Sequence, residues 1–349
     1  MNAIARLLDD ALAAGLGSAL AVSVGDGGRE VGRIVRGFTR TLPDRGAPVD
    51  DHTPFDVASL TKPMVTVACA MVLVADGRLD LATPIRRWLP DAASGATVRE
   101  LLGHAAGCSP HVEIFRWLRA ALPDDPRREL VARAVREPAL APPATYSDLG
   151  YIALGAIIER AADAPLERAF AELVAEPLDL AACFAPAPLV GAVATELDER
   201  GLVCGLVHDE NAYWGGRVCG HAGLFASIDD VARFAAAMVV PRDRFRPEVV
   251  ARFFGDAPTP GASWRLGWDT PSATPGISHA GDRWPRTGAV GHAGFTGTSL
   301  WLDVPNGRWV ALLANRVHPT RFRGTAEAMK ALRRAVADAV VATLRDGVH

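Results

Sequence analysis

Ser59-Leu60-Thr61-Lys62 is the sharpest chemical signal in the chain. A helix that begins at Ser59 carries Lys62 one turn later on the same face, so a hydroxyl and an amine can meet there. Pro63 then falls in the first turn, where its missing N–H is harmless, and Met64, Val65, Val67, Ala68, Met71 and Val72 continue the helix into a core. The positive end of such a helix favours an alkoxide or oxyanion at Ser59. Serine becomes a nucleophile only when a neighbour accepts its proton, and here the choice of lysine is informative. Of 37 basic residues only Lys62 and Lys330 are lysines, so arginine serves almost wherever the chain needs plain positive charge. Arginine cannot release a proton in a protein, whereas a lysine can be tuned by burial or act as a compact charge beside a second base. The competing reading is a helix-cap serine followed by a solvated lysine.

The elements that would position this pair are legible on both sides. Ile4, Leu7, Leu8, Ala11 and Leu12 form a stripe that predicts an opening helix ending near Gly15 and Gly17. Ala19 to Val24 and Val31 to Thr39 flank Gly25-Asp26-Gly27-Gly28 and predict a hairpin. Thr298 to Val304 and Arg308 to Asn315 predict a second around Pro305-Asn306-Gly307, and Thr325 to Leu344 has helical spacing. In the middle, Thr97-Val98-Arg99-Glu100 is a capping box ahead of a short helix, and Ser147 to Ala162 reads as a long one. The pattern predicts an α/β fold: an antiparallel sheet flanked by helices, built from both termini, with an inserted all-helical lobe. The α/β domain is expected from residues 1–75 and 251–349, the mainly helical domain from 76–250, and the active site in the cleft between them.

Composition narrows the function classes. The 349 residues hold 40 acidic and 37 basic side chains, a net charge of −3, and no Lys/Arg block exceeds a pair. The electrostatic footprint of nucleic-acid binding is missing. Five cysteines, Cys69, Cys108, Cys183, Cys204 and Cys219, show no CxxC spacing and read as reduced and mostly buried. Pro63 to Ala75 is shorter than the roughly 20 residues of a membrane-spanning helix, so no membrane partner is expected. Ala11 to Val24 is apolar, but Asp9 and Asp10 precede it without a basic cluster, so a cytoplasmic location is expected rather than a cleaved signal. Val207-His208-Asp209-Glu210-Asn211 with His221 reads as a hydrogen-bond network rather than a metal cluster, since adjacent residues point different ways. There is no G-x-S-x-G elbow, P-loop, HExxH or G-x-G-x-x-G, and no metal or cofactor is implied.

Four ordered segments together resemble the serine β-lactamase and penicillin-binding-protein superfamily, in its class C-like branch of esterases, D-aminopeptidases and carboxypeptidases. Phe55-Asp56-Val57-Ala58-Ser59-Leu60-Thr61-Lys62 resembles the nucleophile segment, and Val98 to Gly107 the stretch that follows it. Tyr146-Ser147-Asp148 stands where the family carries Tyr-x-Asn, and His292-Ala293-Gly294 matches the third element, Lys-Thr-Gly or His-x-Gly. The resemblance implies a serine hydrolase that forms an acyl-enzyme on Ser59 and hydrolyses a small ester, amide or peptide. A true β-lactamase or D-Ala-D-Ala carboxypeptidase, or a silent ligand-binding protein using the same cleft, are the alternatives. Tyr146 is implied as general base, with Lys62 as the cation that lowers its phenol pKa from about 10. The backbone N–H groups of Ser59 and Phe295 would form the oxyanion hole, with Gly294 permitting close approach. His104, just after a short helix, reads as a capping or packing histidine.

Two departures from the family pattern sharpen the expectations. Asp148 replaces Asn, and a carboxylate near Lys62 would hold the amine charged. It would also repel anions and favour substrates with a free amine, unless it caps the following helix and faces away. His292 and Ala293 replace an ammonium and a hydroxyl with an imidazole and a methyl. β-Lactams are therefore expected to be poor substrates beside simple esters, with His292 contacting the substrate or leaving group, unless it only packs and Arg286 or another arginine supplies the missing charge.

Overall fold

The computed structural model describes residues 1–185 and 187–345. Its centre is a five-stranded antiparallel sheet in the order Arg29–Gly37, Ala19–Asp26, Arg308–Ala314, Ser299–Asp303, Ala289–Ala293. The first hairpin and the last three strands come from opposite ends of the chain and meet where Leu20 to Gly25 pair with Trp309 to Ala314. Period-two alternation sorts the side chains onto the two faces. Leu20, Val22, Val24, Val310 and Leu312 point to a core shared with the helices Asn2–Ala13 and Ala326–Arg345. Ala19, Ala21, Trp309, Ala311 and Leu313 point to the larger core on the other side.

That larger core is helical. The helix Asp148–Ala162 runs through it with eleven of its fifteen residues buried. The helix Ile228–Val239, started by a capping box of Ser227 and Asp230, lies directly on the sheet through Phe234, Ala235 and Met238. This corrects the boundary placed near residue 250: the chain is back on the sheet by Ile228, because that helix has a buried stripe and the second sheet face needs a cover. The part between also carries β-structure. Leu224–Ala226 pairs with Phe55–Asp56 and Cys183–Phe184, and Ala194–Asp198 pairs with Gly201–Cys204.

The expected helix from Ser59 takes a less regular path. Ala58–Leu60 is a 3₁₀ turn, Lys62–Val67 a π-turn, and only Ala68–Ala75 is α-helical. Pro63 cannot give the Ser59 carbonyl its α-helical N–H, so the widened turns are a local solution. The run Ala58–Ala75 is long and apolar enough to cross a membrane, yet 83% of it is buried inside the fold as core. All five cysteines are free; Cys69 and Cys219 are buried and the other three half-buried.

Candidate active site

Ser59 lies at the floor of a cleft of about 620 Å³. The residue before it is strained: Ala58 has φ +49°, a left-handed conformation that L-residues other than Asn and Asp rarely adopt. Two side chains hold it there. Asp56 Oδ1 accepts the Ala58 N–H at 2.8 Å, and Thr61 Oγ1 donates to the Ala58 carbonyl at 2.7 Å. Asp56 is itself tied down by the His208 N–H at 2.7 Å, and His208 Nε2 meets Glu196 at 2.9 Å. The 207–211 stretch is thus part of the hydrogen-bond scaffold beneath Ser59. Asn211 bridges Val112 and Phe115, and Asp209 meets His221 at 2.9 Å. Among the described residues no group of three or more His, Cys, Asp or Glu is arranged to hold a metal ion.

Lys62 is fully buried, and all three of its donors are matched. Its Nζ donates to Ser59 Oγ at 3.1 Å, Asp148 Oδ1 at 2.8 Å and the His221 carbonyl at 3.1 Å, and it lies 4.8 Å from the centre of the Tyr146 ring. Burial pulls the ammonium's pKa down, but the Asp148 charge outweighs it and leaves it above the ordinary lysine value. Asp148 answers in kind. Burial would raise its carboxyl, but Lys62 and a 3.5 Å contact with His111 hold it well below the usual carboxylate range. Helix capping belongs to Ser147, whose Oγ accepts the Gly150 N–H at 3.1 Å, so Asp148 neither caps the helix nor stands free in the cleft.

The Tyr146 hydroxyl donates to Ser59 Oγ at 2.9 Å. Burial pushes its pKa above that of a free phenol, with the Lys62 charge only partly opposing, so at neutral pH the ring is a phenol. Both acceptor sites of the serine oxygen are therefore occupied. Behind Tyr146 sits an aromatic cluster of His104 and Trp264, with centroids 4.8 Å and 5.5 Å from the Tyr146 ring. His104 Nδ1 accepts the Ser147 N–H at 3.1 Å, so it packs against Tyr146 and anchors the residue after it in one placement. Trp264 and His111 carry no signal in the sequence; only the fold brings them here.

His292 corrects an expectation. It is 2% exposed, packs beside Tyr146 and Trp264 at 6.0 and 5.8 Å, and does not line the cleft. Its Nδ1–H donates to the Ala293 carbonyl at 3.0 Å. Burial, with the nearby Lys62 charge, lowers its pKa to about 3, so it is a neutral packing residue. Strand alternation explains this: Ala293 faces the cleft and its neighbour His292 faces the core, and the chain leaves the strand at Gly294 in a turn that also lines the cleft. Arg286 is engaged with Asp282 at 3.6 Å and does not line the cleft either.

Gly294 has a definite steric cause. A Cβ there would fall 2.1 Å from Thr298 Oγ1 and 2.7 Å from the Val57 carbonyl, so only glycine lets this turn press against the segment entering Ser59. The turn thereby brings Phe295 to the cleft that Ser59 also lines. Among the described residues, neither the Ser59 nor the Phe295 amide donates to a protein acceptor. Arg333 fixes the turn from behind, donating to the carbonyls of Gly294 at 2.6 Å, Gly297 at 3.1 Å and Thr298 at 2.9 Å.

The family model for Beta-lactamase matches residues 4–334, and the chain belongs to that family. It is a serine hydrolase of the β-lactamase-like kind. Esterase EstB of Burkholderia gladioli is 30% identical over 326 residues, covering 78% of this chain and 82% of its own. An N-acetylmuramyl-L-alanine amidase of Bacillus subtilis (strain 168) is 25% identical, covering 91% and 81%. Among solved structures, the simvastatin synthase of Aspergillus terreus shares the fold with a TM-score of 0.74 at 17% identity, covering 99% of this chain and all of that one.

Proposed function

We propose that this enzyme hydrolyses a small ester or amide through an acyl-enzyme on Ser59. In this reading Ser59 Oγ attacks the substrate carbonyl and passes its proton to the phenolate form of Tyr146, the minor form at neutral pH. The tetrahedral oxyanion is received by the backbone N–H groups of Ser59 and Phe295, each worth about a hundredfold or more in rate. Tyr146 returns the proton to the departing alcohol or amine, and water then releases the acyl group by the reverse path. Lys62 stays charged throughout. It has no donor left for the substrate, so its work is to stabilise negative charge on the Tyr146 and Ser59 oxygens.

The observation that carries this reading is the convergence of Lys62 Nζ and the Tyr146 hydroxyl on one serine oxygen at the floor of a cleft. Rapid mixing with a nitrophenyl ester tests it. Wild-type enzyme should release a burst of nitrophenol matching the enzyme concentration, and Ser59→Ala none. Wild-type turnover by Ser59→Ala would make the assignment wrong.

A further inference from the structure

A second set of reactive groups lies behind Lys62, and the mechanism above does not use it. Cys219 Sγ is 3.1 Å from His221 Nδ1, and the other ring nitrogen, His221 Nε2, is 2.9 Å from Asp209 Oδ1. A nucleophile, a base and a carboxylate that orients the base are thus linked by hydrogen bonds. With Nε2 bound to the carboxylate, Nδ1 is left to share the cysteine's proton. Burial pulls the imidazolium's pKa down, but Asp209 and the Cys219 sulfur outweigh it and lift it well above the ordinary histidine value. The other four thiols differ. Burial raises Cys69, Cys183 and Cys204, and pushes Cys108 up to about 11. Cys108, Cys183 and Cys204 are nevertheless half-buried, whereas Cys219 is only 5% exposed. The loop that carries Cys219 also holds Lys62. The Gly220 carbonyl accepts from Thr66 Oγ1 at 2.6 Å, and the His221 carbonyl accepts from Lys62 Nζ at 3.1 Å. A Cβ at Gly220 would fall 2.2 Å from the Tyr151 carbonyl, so the loop is pressed onto the helix Asp148–Ala162. Cys219 itself packs in one cluster with Leu149, Ile152 and Ala222.

We propose that Cys219 is an activated thiolate and a modification site for hydrogen peroxide, and that its oxidation pulls the His221 carbonyl from Lys62 and switches catalysis off. The effect on catalysis rests on the reading of Ser59, Lys62 and Tyr146 as the machinery; the modification itself does not. The thiolate attacks one peroxide oxygen, the O–O bond breaks, and the departing hydroxide takes the proton from His221 Nδ1 and leaves as water. Sulfur loses the two electrons that the peroxide gains, and the product is a sulfenic acid. Peroxide is uncharged and scarcely larger than water, which suits a sulfur this well covered. The packed apolar side of Cys219 has no slack for an added oxygen. The oxygen therefore displaces the His221 ring, and the carbonyl of the same residue moves with it.

The test exposes the wild-type protein briefly to hydrogen peroxide, quenches with catalase and unfolds it in dimedone, which caps sulfenic acids. Peptide mapping then reads all five cysteines. Exposure alone would put Cys108, Cys183 and Cys204 first. The thiolate puts Cys219 first, at least about tenfold faster than any other. His221→Gln should slow Cys219 about tenfold, and the order within the wild type stands whether or not that variant folds. Esterase activity should fall in step with the Cys219 adduct and return with dithiothreitol. Cys219→Ala should match the wild type before treatment and lose activity at least about tenfold more slowly during it. A reaction order that follows exposure, or a folded His221→Gln that reacts as fast as the wild type, overturns the site. Equally fast inactivation of Cys219→Ala, or full activity with Cys219 oxidised, overturns the link to Lys62. A Ser59-dependent burst missing from untreated enzyme, with Cys219 still first to react, would overturn the catalytic reading instead.

Discussion

The two walls of the cleft handle charge in opposite ways. Around Ser59 each charge meets a partner inside the protein: Lys62 meets Asp148, Asp148 also meets His111, and His221 meets Asp209. Along the C-terminal helix Lys330 and Arg333, and Arg316 over the Phe295 ring, form no ion pair with a carboxylate among the described residues. A compensated network fixes geometry, because moving any member exposes another buried charge. An uncompensated set fixes little and leaves positive potential on its side of the cleft. One wall is thus held rigid by its own ion pairs, and the other is not.

The sharpest way to break this contrast is at Ser59. Its side chain caps no helix, so Ser59→Ala should lose at least about a thousandfold in kcat while costing under about 1 kcal/mol of stability. Steady-state kinetics and urea unfolding on one preparation check both halves. Next in size is Asp148→Ala, which strands the Lys62 ammonium in the core. Removing one partner of a buried pair costs about 3–5 kcal/mol, read as a lower unfolding midpoint. Because the Asp148 pKa is depressed in the fold, its contribution is present above the unfolded value near 3.9 and is lost as the pH falls below it. Wild type should therefore shed its advantage over Asp148→Ala in acid. An advantage that persisted in acid would mean that the pair is not what stabilises this wall.

A smaller and graded effect concerns Tyr146. Its pKa is raised, so the proton-accepting phenolate is scarce at neutral pH and grows as pH rises. The kcat/KM for a neutral ester should climb up to about tenfold per pH unit through the neutral range, without levelling off below about pH 10. A plateau near pH 7 would assign the base to another group.

Much of the fold was readable because its signals are local. The two terminal hairpins, the capping box at Thr97 and the helix after Ser147 all rest on residues within a few positions of one another. The Ser59–Lys62 pair was readable for the same reason, although the 3₁₀ and π-turns between them were not, since Pro63 constrains the backbone without announcing the alternative. The return of the chain to the sheet at Ile228 was missed because an amphipathic helix does not say which surface it covers. Three residue placements had no local signal at all: His111 beside Asp148, Trp264 behind Tyr146, and Arg316 over Phe295. His292 was misassigned for a subtler reason. Strand alternation turned its ring into the core and left Ala293 on the cleft, where the turn beginning at Gly294 continues the lining.

The central claim is a covalent bond to Ser59, and intact-mass spectrometry tests it most directly. Brief exposure of the wild-type protein to a fluorophosphonate, and separately to a slowly deacylating ester, should add one acyl or phosphonyl group per chain. Peptide mapping should place it on Ser59, and Ser59→Ala should remain unmodified under the same conditions. A stoichiometric adduct on any other residue, or turnover of the ester with no adduct at Ser59 under either reagent, would contradict it.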